Sequence, residues 1–127
     1  MMIRIDDNIL NTNFIKGVRL KSREGIIKIY FSDRTAKTFA EDYRITFLLD
    51  QLHEEGFFEF DGNYINPSLL KGFENLNDGR VKFYFPDTTA LTLYMDDDQF
   101  EELVQWFRMI DENQMSSSYI EEEEQDS

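Results

Sequence analysis

The sequence predicts an α+β protein made of two tandem ββββα units. Their hairpin-rich strands are expected to form one pseudo-symmetric antiparallel sheet with the helices on one face. Three observations predict this class. Segments about 55 residues apart resemble each other, short runs alternate apolar with polar residues, and two longer runs carry apolar residues at helical spacing.

The internal likeness is readable residue by residue. IRIDDNILN from Ile3 lies over FEFDGNYIN from Phe58, matching Asp6 to Asp61, Asn8 to Asn63 and Asn11 to Asn66. At the same offset Lys16-Gly17 falls on Lys71-Gly72. After a one-residue length change, Gly25, Lys28, Tyr30, Phe31, Asp33, Thr35, Ala36, Thr38 and Asp42 match Gly79, Lys82, Tyr84, Phe85, Asp87, Thr89, Ala90, Thr92 and Asp96. Fourteen identities with one gap exceed what chance pairing supplies. Residues 1–112 are therefore expected to be one domain of two repeats, 2–56 and 57–111, followed by a flexible acidic tail over 113–127.

Each unit should open with a short strand, Ile3 to Ile5 and Phe58 to Phe60, ending at Asp6-Asp7 and Asp61-Gly62; the second pair is a tight-hairpin signal. A less regular strand follows over Phe14 to Leu20 and Leu69 to Phe73. Alternating strands come next at Ile26–Phe31 and Arg80–Phe85. Turns at Ser32-Asp33-Arg34 and Pro86-Asp87-Thr88 lead to return strands at Thr35–Ala40 and Thr89–Met95. The first helix is expected from about Arg44 to Glu55, with Ile45, Leu48, Leu49 and Leu52 on one face and Gly56 as its stop. Asp96 should cap the second, whose apolar stripe is Phe100, Leu103, Val104, Phe107 and Ile110. Alternation assigns Ile27, Ile29, Phe31, Val81, Phe83, Phe85, Leu91 and Leu93 to the core. Lys28, Tyr30, Lys82, Tyr84, Thr92 and Tyr94 fall on the opposite, wet face.

With 127 residues, 41% of them hydrophobic, the chain has enough apolar material for a core of its own. It contains no Cys, which excludes disulfides, thiol nucleophiles and cysteine-bound metals. No apolar run is long enough for a membrane span, and MMIRIDDN has no apolar signal segment, so a cytoplasmic protein is expected. The net charge is −13 and unevenly placed. Residues 1–60 carry 9 basic and 10 acidic side chains, whereas residues 61–127 carry 4 and 16. A negative field of this kind repels phosphate backbones and attracts basic surfaces.

Chemistry-bearing groups are sparse. The one His, His53, adjoins Glu54 and Glu55 with no triad around it. Asp96-Asp97-Asp98 with Glu101 and Glu102 matches no metal-loop spacing and suits a helix start. No glycines form a phosphate loop. No enzyme activity, catalytic residue, metal or cofactor is expected.

Two surfaces are candidates for binding. Asp87, Asp96, Asp97, Asp98, Glu101, Glu102, Asp111 and Glu112, extended by Glu121, Glu122, Glu123 and Glu124, would meet a basic protein partner. A sharper version is a phage-type nucleic-acid mimic that inhibits a defence or DNA-processing complex. A solvated acidic helix explains the same residues without any partner. The second surface is the Lys28, Tyr30, Lys82, Tyr84, Tyr94 face, which interleaves cations and aromatics as single-strand nucleic-acid platforms do. The acidic second half opposes direct nucleic-acid binding, and the wet face of a sheet has this composition anyway. A homodimer is compatible with the sequence, and no membrane partner is expected.

The second unit, from Phe58 through Phe107, resembles the small flagellar-operon proteins of the FlbD family. Ile65-Asn66-Pro67-Ser68-Leu69-Leu70 and the acid-led helix from Asp96 carry the likeness. The first unit keeps Leu10-Asn11 but has Thr12 where Pro67 stands. Arg34 and Thr88 replace the family's hairpin glycine. The resemblance implies a small, non-catalytic, β-rich module.

Overall fold

In the computed structural model, residues 1–115 are described, and their side chains through Met109. The element order runs β1 (Met2–Ile5), β2 (Asn8–Asn11), a 3₁₀ turn (Thr12–Phe14), β3 (Ile15–Lys21), β4 (Ile26–Phe31), β5 (Ala36–Ala40) and α1 (Tyr43–Glu54). It continues with β6 (Phe58–Phe60), β7 (Asn63–Ile65), a 3₁₀ turn (Pro67–Leu69), β8 (Gly72–Asn75), β9 (Arg80–Tyr84), β10 (Ala90–Tyr94) and α2 (Asp97–Met115). The α+β class stands.

Local conformation follows the matched residues closely. Asp6 and Asp61 both take positive φ (54° and 50°), as do Arg34 and Thr88 (76° and 73°). Asn11 and Asn66 each accept a backbone N–H from two residues ahead, from Asn13 and Ser68, and so start the two 3₁₀ turns. Asp33 and Asp87 each accept both the N–H and the hydroxyl of the Thr two positions on. Short polar side chains hold these turns by bonding their own backbone. At Asp61-Gly62 (φ 50° and 76°) the consecutive left-handed residues make the hairpin between β6 and β7.

Strand pairing departs from the expected single pseudo-symmetric sheet. The described residues form three sheets: β1-β2; β5-β4-β3-β7-β6; and β10-β9-β8. β7 pairs antiparallel with β3, Gly17 opposite Ile65 and Arg19 opposite Asn63. The hairpin that opens the second half of the sequence thus completes the sheet of the first half, whereas β1-β2 stands as a sheet of its own. Alternation fixes which face a strand buries but carries no information about its neighbour, so the sequence pattern does not reveal this pairing.

Packing gathers residues 1–73 and 83–91 into one compact unit, and 74–82 with the described residues from 92 onward into another. The first has a core of Ile5, Leu10, Ile15, Val18, Ile27, Ile29, Ile45, Leu48, Leu52 and Phe57. Full burial of each aliphatic side chain contributes about 1.5–3 kcal/mol before entropy is counted. α1 begins at Asp42, whose carboxylate accepts the Arg44 N–H, and it turns its Ile45, Leu48 and Leu52 stripe into this core. The second unit buries Val81, Leu93, Met95 and Leu103.

Several elements differ from expectation: β2 and β7 make five strands in each half where four were expected. The irregular strands are each a 3₁₀ turn followed by a strand, because Asn11 and Asn66 cap a turn first. α2 continues to Met115, so 113–115 are helical where a tail was expected; residues 116–127 lie outside the described part.

Candidate functional site

The acidic residues expected to act together fall into three situations. Asp96 is a capping residue: its Oδ1 accepts the Gln99 N–H at 2.8 Å, and Gln99 Oε1 accepts the Asp96 N–H at 2.9 Å. This reciprocal pair satisfies donors that the first helical turn would otherwise leave open. Asp97, Asp98, Glu101 and Glu102 follow on α2 and are all exposed. At 100° per residue they span an arc of roughly 140° on one side of the helix. Phe100, Leu103, Val104 and Phe107 occupy the opposite arc, and Leu103 is only 1% exposed. None of the four acids has a cation partner among the described residues. Asp111 and Glu112 lie on described helical backbone, and Glu121, Glu122, Glu123 and Glu124 lie outside the described residues.

Asp87 is different in kind, and its assignment to the outward acidic surface is corrected. Its Oδ2 stands 2.5 Å from Lys16 Nζ, and the two side chains are only 10% and 8% exposed. Lys16 also donates to Thr89 Oγ1 at 2.7 Å and places its ammonium 5.3 Å from the centre of the Phe85 ring. Burial pushes the Asp87 carboxyl up, but hydrogen bonds from Lys16 and from Thr89 outweigh it and hold it down at about 2. This charge is spent inside the first unit.

A β-bulge explains why Lys16 points there. Ile15 pairs with Phe31 and Gly17 with Tyr30, which leaves Lys16 as the extra residue on β3. A bulge breaks strict alternation and re-aims a side chain. Here Ile15, Lys16, Gly17 and Val18 are all buried in succession. Gly17 belongs at this point because a Cβ would come within 3.2 Å of the Tyr64 carbonyl oxygen.

Beside the bulge is a cleft of about 390 Å³ lined by Lys16, Arg19, Tyr30, Arg34, Asn63, Phe85, Thr89 and their neighbours. Of these, only Tyr30 is among the binding residues that the sequence pattern points to. Lys28, Tyr30, Lys82 and Tyr84 are half-buried, and Tyr94 is 79% exposed. Lys28 places its ammonium 5.3 Å from the Tyr30 ring centre. His53 is exposed at the end of α1.

Among the described residues, no three His, Cys, Asp or Glu side chains are grouped to hold a metal ion, and no helix is long and apolar enough to cross a membrane. No family model, no curated protein and no solved structure matches the chain. The likeness to the flagellar-operon family rests on the motif alone.

Proposed function

We propose that this chain is a non-catalytic binding protein that engages a basic protein partner through the acidic face of α2. One observation carries the reading. Asp97, Asp98, Glu101 and Glu102 share one exposed arc with no cation partner among the described residues, whereas Asp6, Asp42, Asp78 and Asp87 are each ion-paired. Unpaired carboxylates on a rigid helix create a local negative potential that steers and orients a cationic surface. Because Asp96 caps the helix, the neighbouring charges can be removed without removing the cap.

The test is co-purification from the native host with wild type and with D97N/D98N/E101Q/E102Q. Capture of the same protein by wild type, lost in the quadruple variant and weakened by salt, supports the reading. Equal capture by both proteins removes it. Displacement of the captured partner by double-stranded DNA would identify the narrower case, a nucleic-acid mimic.

A further inference from the structure

The cleft beside the Lys16 bulge has a charge opposite to that of the whole chain. Three cations line it, Lys16, Arg19 and Arg34, and no carboxylate stands among the described lining residues. In a protein of net charge −13, such a cluster runs against the overall field.

The three cations are not equivalent. Lys16 is neutralised by Asp87 and fixed by Thr89. Arg19 is oriented by a relay of hydrogen bonds: Asn63 Nδ2 donates to the carbonyls of Phe60 and Asp61, and Asn63 Oδ1 accepts Arg19 Nε at 3.1 Å. Asn63 itself is 7% exposed, so the relay is shielded from water. The outer guanidinium nitrogens of Arg19 have no acceptor among the described residues. Arg34 sits at a left-handed turn position (φ 76°) with no ion pair among the described residues. The carboxylate next to it in sequence, Asp33, is engaged by Thr35.

With Asp87 paired to Lys16 and the exposed Asp33 carboxylate within electrostatic range of the same ammonium, the cleft keeps a net charge of about +1, which favours an anion such as a phosphomonoester. Planar guanidinium groups pair with phosphate oxygens two at a time, and a fixed Arg loses less freedom on doing so. Phe85, Tyr30, Val18 and Leu91 add an apolar wall. A volume of about 390 Å³ lies at the small end of ligand pockets, which suits one ring system plus a phosphate.

We propose that this cleft binds a small organic phosphomonoester. Arg19 and Arg34 hold the phosphate, and the ligand's ring rests against Phe85 and Tyr30. Isothermal titration of the full chain with phenyl phosphate, adenosine monophosphate, inorganic phosphate and adenosine tests it. At least one of the two organic phosphates should bind, and more tightly than inorganic phosphate, while adenosine should not bind. R19Q and R34Q should each weaken binding by about tenfold or more, whereas R23Q, an exposed residue outside the cleft, should leave it unchanged. R34Q keeps the test valid if R19Q fails to fold, because Arg34 is an exposed turn residue. Absence of binding by either organic phosphate up to about 10 mM overturns the proposal, as does binding that survives both arginine substitutions. Binding of inorganic phosphate as tight as that of the organic probes overturns the ring assignment. D97N/D98N/E101Q/E102Q should bind these probes like wild type, which separates this site from the acidic face of α2.

Discussion

Lys16 on the β3 bulge and Asp87 in the turn between β9 and β10 form a shielded ion pair, Nζ to Oδ2 2.5 Å, 71 residues apart in sequence. The residues matched to them, Lys71 and Asp33, are both exposed. One turn motif therefore serves locally at Asp33 and as a tertiary anchor at Asp87.

Breaking this pair from one side should cost more than removing it altogether. D87N leaves the Lys16 ammonium buried without its counter-charge, and loss of about 3 kcal/mol is expected. K16M/D87L, which removes both charges, should recover a large part of that loss, because burying two ions itself costs desolvation energy. Urea unfolding of K16M, D87L and K16M/D87L, with D87N alongside, measures this coupling directly.

The same carboxylate makes stability depend on pH in the acid range. Its folded value, about 2, lies below the value of about 3.9 for an unfolded Asp. The folded state therefore binds fewer protons in between, and stability falls as pH drops from about 4 towards 2. Above pH 4 the contribution is fully present. A wild-type acid titration should show this decline and D87N should lack that part of it; identical curves would contradict the assignment.

Asn11 and Asn66 should differ although their turns match. Asn11→Ala removes an exposed cap, a loss of about 1 kcal/mol. Asn66→Ala removes the same cap bond and also the bond from Asn66 Nδ2 to the Ile15 carbonyl at 3.0 Å, in a side chain 6% exposed. An orphaned buried carbonyl adds a penalty, so about 2–3 kcal/mol is expected in total. Thermal or urea unfolding of the two variants reads the difference.

These contrasts show where sequence reasoning reached and where it stopped. The turns at Asp61-Gly62, Asp33 and Asp87, the α1 stripe and the Asp96 cap were all legible, since each depends on residues within four positions of one another. The acids on α2 were legible as a face because helical spacing assigns faces. The cleft was not, because Arg19, Arg34 and Asn63 come from three separate elements. The one available signal was the pair Lys16-Gly17, matched in both halves, with an early Gly inside an otherwise extended run.

By itself, the sequence determined the α+β class, the turn chemistry, the alternation of Ile27 and Ile29 against Lys28 and Tyr30, and the concentration of acid in the second half. All of these are local or compositional properties. Only the tertiary structure decided that β7 pairs with β3, that Lys16 bulges inward, and that Asp87 is a buried counter-ion instead of a surface acid. Strand partners and ion pairs across 71 residues depend on which arrangement buries the most apolar area with every polar group satisfied. That comparison is made over the whole fold, and no local pattern encodes its result.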